Sequence, residues 1–180
     1  MPASKVNSKV DLKKIGSICL FVNGFIFLFY ALAVPVLVPG VHWLITLSAI
    51  LFIVALPAVY GWLRRLREVA AKIVVALLGF AMIVIIVSDL LFALAFLSAL
   101  SHDLAYASGN ALFIICLLAI GLITLKETRF KWFGYLTILA AIIGVSTYIP
   151  QAAGLLSTFS LLLTGLWSLA FGFIILKLIK

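Results

Sequence analysis

Acidic residues are scarce in this chain. Five Asp and Glu stand against thirteen Lys and Arg, and charged residues of both signs fill only 10% of 180 positions. A soluble globular domain is charged at roughly a quarter of its positions. With so few ionic groups and 67% hydrophobic residues, a water-soluble monomer would leave far more apolar surface exposed than water tolerates. Cysteine is almost absent, at two residues, and neither Cys19 nor Cys116 belongs to a CxxC pair. Disulfide and zinc frameworks therefore have no support, and both thiols read as small buried hydrophobes. Missing as well are a phosphate-cradling P-loop, a dinucleotide fingerprint, HExxH and GxSxG. No cofactor and no metal is expected.

What the chain has instead is long apolar runs, with a mean hydropathy of +1.39. A membrane-spanning helix needs about 20 mostly apolar residues. Six segments qualify, at about 15–37, 42–63, 70–100, 107–125, 133–150 and 155–177. The runs are unbroken and lack the in–out alternation of a membrane barrel, so helices are the expected element. The fold class is an all-α transmembrane bundle of six helices in a single domain, 1–180. The length leaves no room for a separate soluble domain.

The breaks fit this layout. Pro39-Gly40 separates the first two runs, and Pro150 with Gly154 the last two. Two breaks are basic, one holding Arg64, Arg65 and Arg67, the other Lys126, Arg129 and Lys131. The remaining break, over 101–110, contains His102 and Asp103 and no Lys or Arg. With six crossings, all thirteen basic residues fall on one side. Lys and Arg are retained on the cytoplasmic side during insertion, so both termini are expected to be cytoplasmic, in the plasma membrane. This accounts for the +8 charge without nucleic acid, and the same residues are candidates for holding anionic lipid headgroups. Trp62 and Trp132 are expected as anchors at the inner boundary, with Trp43 and Tyr148 at the outer one. Trp167 falls mid-span and should pack between helices. Four lysines, an apolar run and Ala31-Leu32-Ala33 imitate a secretory signal. Because the apolar stretch runs on past that point, a retained first helix is expected.

Polar residues inside the apolar runs are the candidates for function. Asp89 sits in VIIVSDLLFALAF (84–96), about 28 Å along its helix counted from Ala70. A charged Asp at the centre of a spanning helix costs about 2.5–3.5 kcal/mol on insertion scales. Its helical neighbours include Ala81 and Ala93, small enough to admit another helix. Two readings stand: a proton-carrying or cation-binding carboxylate, or a neutral carboxyl bonded to a nearby amide or hydroxyl. His42, His102, Asp103 and Asn110 collect on the same side and would line an outer cavity with Asp89. Solvated loop residues are the alternative. Asn23 reads as an interhelical hydrogen bond or as part of the same polar pathway. Ala140/Gly144 and Ser168/Gly172, four apart, read as close packing sites.

The stretches LPAVYGWLRRLRE (56–68) and KWFGYLTILAAIIGV (131–145) resemble small six-helix membrane proteins of prokaryotes, of the domain-of-unknown-function type. The resemblance implies the fold and carries over no functional residue. The intramembrane ceramidase-like hydrolases also combine His, Asp and Ser, but this chain lacks their closely spaced histidine pair on the last helix. Three functions remain open. They are a small proton- or cation-coupled transporter using Asp89, an accessory or scaffolding subunit of a larger membrane complex, and an intramembrane enzyme. The expected partners are the lipid bilayer and, for the subunit reading, other membrane subunits or further copies of the chain.

Overall fold

The structure is a computed structural model. It describes residues 8–33, 42–146, 148 and 153–178, with side chains described at 12–32, 43–146, 148 and 156–178. These residues form six α-helices: α1 (Ser8–Ala33), α2 (His42–Leu63), α3 (Glu68–Ala93), α4 (Ala99–Thr124), α5 (Lys131–Ser146) and α6 (Ala153–Lys177). A single 3-10 turn, Thr128–Phe130, precedes α5. Each helix is long and apolar enough to cross a membrane, Thr128–Ser146 being counted with α5. Large apolar side chains cover the outside of the bundle; Phe25, Phe29 and Phe80, for example, are each more than half exposed. In water such a surface would be untenable, whereas in hydrocarbon it is the ordinary exterior.

Consecutive helices pack as neighbours, and α6 returns to α1, so the six close into a ring. Large side chains fill its middle. Phe52 stacks on Trp167 with ring centroids 5.9 Å apart, Phe133 stacks on the same indole at 6.2 Å, and Trp62 meets Phe171 edge-on at 5.1 Å. Trp167 is fully buried, as its mid-span position suggested, and its indole N–H donates to Thr137 Oγ1 at 2.9 Å. A buried indole needs such a partner. Trp62 departs from expectation. It is only 4% exposed and belongs to this aromatic core, because the last turn of α2 brings it against Phe130, Phe133 and Phe171. Trp43, Trp132 and Tyr148 are exposed.

The closing contact, α1 on α6, is made by small residues. A Cβ placed on Gly24 would lie 2.8 Å from the Gly165 carbonyl oxygen, and one on Gly165 would lie 3.0 Å from the Gly24 carbonyl oxygen. Backbones this close let polar side chains cross between helices. Ser17 Oγ donates to the Gly172 carbonyl at 2.6 Å. Asn23 Nδ2 donates to Ser168 Oγ at 3.2 Å, Ser168 Oγ donates onward to the Leu20 carbonyl, and Ser48 Oγ donates to Asn23 Oδ1. Asn23 thus ties α1, α2 and α6 together.

The α3–α4 turn differs most from the expected runs. The apolar run to residue 100 does not continue as one helix: α3 stops at Ala93. The Phe96 amide bonds back to the Leu91 carbonyl at 2.8 Å and the Ala95 amide to Phe92 at 3.0 Å. This is the Schellman pairing, and it puts Ala95 at φ 58, in the left-handed region. Ser98 then caps α4, its side chain accepting from the Ser101 amide. Residues 101–110, expected as a loop, are therefore the first turns of α4.

Candidate functional site

Starting α4 at Ala99 has a consequence for chemistry. His102, Tyr106 and Asn110 are spaced by four, which on a helix sets them along one face. Gly109, on the adjoining track, brings that face close to α3. A Cβ there would sit 2.9 Å from Ile85 Cγ1 and 3.1 Å from the Ala81 carbonyl oxygen. Ala81 and Ile85 lie on the Asp89 side of α3, eight and four residues before it. The antiparallel pair is thus in register for His102 to reach Asp89.

His102 Nε2 lies 2.9 Å from Asp89 Oδ1. On the other oxygen, Thr46 Oγ1 of α2 donates to Asp89 Oδ2 at 2.6 Å. The second ring nitrogen, His102 Nδ1, lies 3.3 Å from Asp103 Oδ1. Both interacting side chains of the central pair are largely sheltered, at 14% exposure for Asp89 and 19% for His102, while Asp103 is 77% exposed. A neutral imidazole has one N–H and an imidazolium two, so only the charged ring donates to both carboxylates. Phe92 covers the imidazole, with ring centroids 4.5 Å apart, and Tyr106 approaches it at 6.0 Å. Ser88, the hydroxyl beside Asp89 in sequence, takes no part. Its Oγ bonds back to the Ile85 carbonyl within α3.

The pair forms part of the wall of a cavity of about 690 Å³ between the ends of the first four helices. Tyr30 comes from α1, Trp43, Ile45 and Thr46 from α2, Phe92 and Ala93 from α3, and Tyr106 from α4. A second cavity, of about 230 Å³, shares Tyr30, Ile45 and Tyr106 with the first. It extends toward Phe113, Ser160 and Thr164. Phe113 is in edge contact with Phe52 and Trp167, so the aromatic core lies directly beneath.

The expected site residues divide as follows. Asp89, His102 and Asp103 meet. Asn110 lines the second cavity and donates to the Tyr148 hydroxyl at 3.1 Å, which in turn donates to the Ala107 carbonyl. Asn23 stands apart, because its amide is consumed by Ser48 and Ser168 at the three-helix junction and it lines neither cavity. His42 opens α2, but its side chain lies outside the described residues. Among the described residues, no group of three or more His, Cys, Asp and Glu is disposed to hold a metal ion. The six basic residues of the two charged turns lie at the opposite end of the bundle, at the α2–α3 and α4–α5 connections. Sequence reading missed Thr46 and Tyr30, since a hydroxyl in an apolar run carries no signal of what it faces. The four-residue spacing of His102, Tyr106 and Asn110 was a usable signal, hidden by reading that segment as a loop.

Comparison with protein-family models, curated proteins and solved structures finds no match to this chain.

Proposed function

We propose that this multi-pass membrane protein is a small transporter that exchanges protons for a solute, with Asp89 and His102 as the pair that takes up and releases the proton. The observation carrying this reading is the 2.9 Å contact between a sheltered carboxylate and the imidazole at the wall of a cavity of about 690 Å³. Ionisable groups inside an apolar bundle are costly, and those that pair inside it are the groups that build ion and proton pathways. Imidazole changes charge between pH 5 and 8, the range in which a cell maintains proton gradients.

Orientation follows from charge. The basic residues of the α2–α3 and α4–α5 turns lie at the end opposite the cavity, and positive charge favours the cytoplasmic side. Both termini are then cytoplasmic in the plasma membrane and the cavity faces outward. Phe52, Phe113 and Trp167 stand between the cavities and the cytoplasmic half, so this conformation corresponds to the outward-facing state. Release inward requires the aromatic core to part.

The hydrolytic alternative fits less well. An imidazole-activated nucleophile needs its hydroxyl hydrogen-bonded to the ring, whereas both nitrogens of His102 face carboxylates. The test is a reconstitution. Vesicles containing the purified chain and a trapped pH dye are exposed to a panel of small solutes. A solute-dependent pH change is expected with the natural chain and not with Asp89→Asn or His102→Gln. Equal signals from all three proteins would remove the pair from the mechanism.

A further inference from the structure

We infer that the cavity takes a small organic cation with an apolar body, which binds Asp89 in exchange for the proton of His102. This deepens the exchange reading and rests on it. Four observations converge on the substrate class.

The first is charge. Asp89 and Asp103 line the cavity, and among the described residues no Lys or Arg does. The nearest basic clusters in the topology sit at the other end of the bundle. Among the described residues, an anion entering here would meet two carboxylates and no cation except the His102 imidazolium.

The second is the character of the walls. Tyr30, Trp43, Phe92 and Tyr106 surround the carboxylate on four helices. Aromatic faces attract cations, and Trp does so best. Aliphatic or aryl groups on the ligand would bury against the same rings.

The third is the state of the hydroxyls. Tyr30 and Tyr106 stand where the two cavities join, and among the described residues neither hydroxyl makes a hydrogen bond. They are free to accept from an N–H donor or to complete the cage. The fourth is size, since about 690 Å³ lies within the roughly 300–1,000 Å³ of small-molecule sites.

The exchange follows from the bonding of Asp89. Thr46 occupies Oδ2 and His102 occupies Oδ1. When the imidazole gives its proton to water, its Nε2 no longer needs to donate, and Oδ1 becomes available to the incoming cation. One positive charge leaves the carboxylate and another replaces it. The groups facing His102 are Asp89 and Phe92 from α3, and Asp103 and Tyr106 from α4. Tyr30 from α1 and Thr46 from α2 complete the wall. Among these side chains, His102 alone ordinarily changes charge between pH 5 and 8.

The experiment is equilibrium binding of radiolabelled tetraphenylphosphonium to the full chain in detergent, with tetraphenylborate as a competitor of matched shape and opposite charge. Saturable binding of the cation is expected, without competition from the anion. Affinity should rise by about tenfold as pH is raised from about 5.5 and the imidazole loses its proton. His102→Gln should flatten that pH dependence. Asp89→Asn should weaken binding at least about tenfold, the effect expected for removing a charged partner. Trp43→Ala, at a half-exposed wall position, should weaken it about threefold while leaving the fold intact. Absence of saturable binding, equal competition by the borate, or full affinity in Asp89→Asn would overturn the inference. If the cation fails to bind while vesicles still show Asp89-dependent exchange with another solute, the substrate class falls and the exchange reading stands. If it binds with the expected pH profile but vesicles move no proton with any solute, the binding site stands and the exchange reading falls.

Discussion

Replacing Gly24 by Ala tests how the ring is closed. The added Cβ would lie 2.6 Å from Leu169 Cγ and 2.8 Å from the Gly165 carbonyl oxygen. Leu169 is a side chain and can turn away, but the carbonyl belongs to the α6 backbone and cannot. Ordinary contact begins near 3.4 Å, so α1 and α6 must part by about 0.6 Å, the difference between 3.4 and 2.8. That movement strains the 3.2 Å bond from Asn23 to Ser168. Overpacking of a close contact costs about 1–3 kcal/mol, and an interhelical hydrogen bond in a membrane protein contributes about 0.6 kcal/mol. The better helix propensity of Ala returns up to about 1 kcal/mol. A net loss of about 1–2 kcal/mol is expected. At about 2–4 °C per kcal/mol for a chain of this size, Tm should fall by about 2–8 °C.

The internal control is Gly61→Ala, where the new methyl would meet, among the described residues, only Lys13 Cε at 3.9 Å. It gains propensity without a clash, so Tm should hold or rise. Cys116, 1% exposed, provides the assay. In a Cys19→Ser background, a dye that fluoresces on thiol reaction reports unfolding in detergent. Equal Tm values for Gly24→Ala and Gly61→Ala would refute the close α1–α6 crossing.

Three further outcomes are expected. Gly109→Ala pushes α4 off α3, its Cβ lying 3.1 Å from the Ala81 carbonyl oxygen. It should reduce Asp89-dependent exchange several-fold more than it reduces Tm, and retained exchange would mean that the helix spacing does not set the pair. Ala95→Gly relieves a left-handed residue at φ 58 and should stabilise by about 1 kcal/mol, raising Tm by about 2–4 °C; an unchanged Tm would argue against the Schellman turn. In histidine-labelled protein, the His102 resonance is identified by its loss in His102→Gln. Its NMR titration should move when Asp89 becomes Asn and should be insensitive to Ser88→Ala, because Ser88 bonds its own helix; an unmoved curve in Asp89→Asn would separate the two groups.

Much of the architecture was legible because the bilayer imposes it. Apolar run length and the one-sided distribution of Lys and Arg are local properties, and they indicated six helices without any knowledge of contacts. Helix ends were less legible. Leu94, Ala95 and Phe96 are as apolar as what precedes them, and the turn there is made by backbone hydrogen bonds that hydropathy does not register. That error turned 101–110 into a loop and dissolved the stripe of His102, Tyr106 and Asn110. Asp89 announced itself by its cost, whereas Thr46, 43 residues away, could be paired with it only once α2 was folded against α3. Asn23 shows the converse. An amide in an apolar run signals that a partner exists, but the sequence does not say whether it is a substrate or, as found, two serines on neighbouring helices.

The proposed exchange needs a cavity that faces away from the charged turns. Site-directed thiol labelling in a background with Cys19 and Cys116 replaced by Ser tests this directly, with single cysteines at Arg65, Arg129 and Asp103. A membrane-impermeant maleimide applied to intact cells should label Asp103→Cys at once, and Arg65→Cys and Arg129→Cys only after permeabilisation. Labelling of Arg65→Cys and Arg129→Cys from opposite faces, or of Asp103→Cys from the same face as Arg65→Cys, would contradict it.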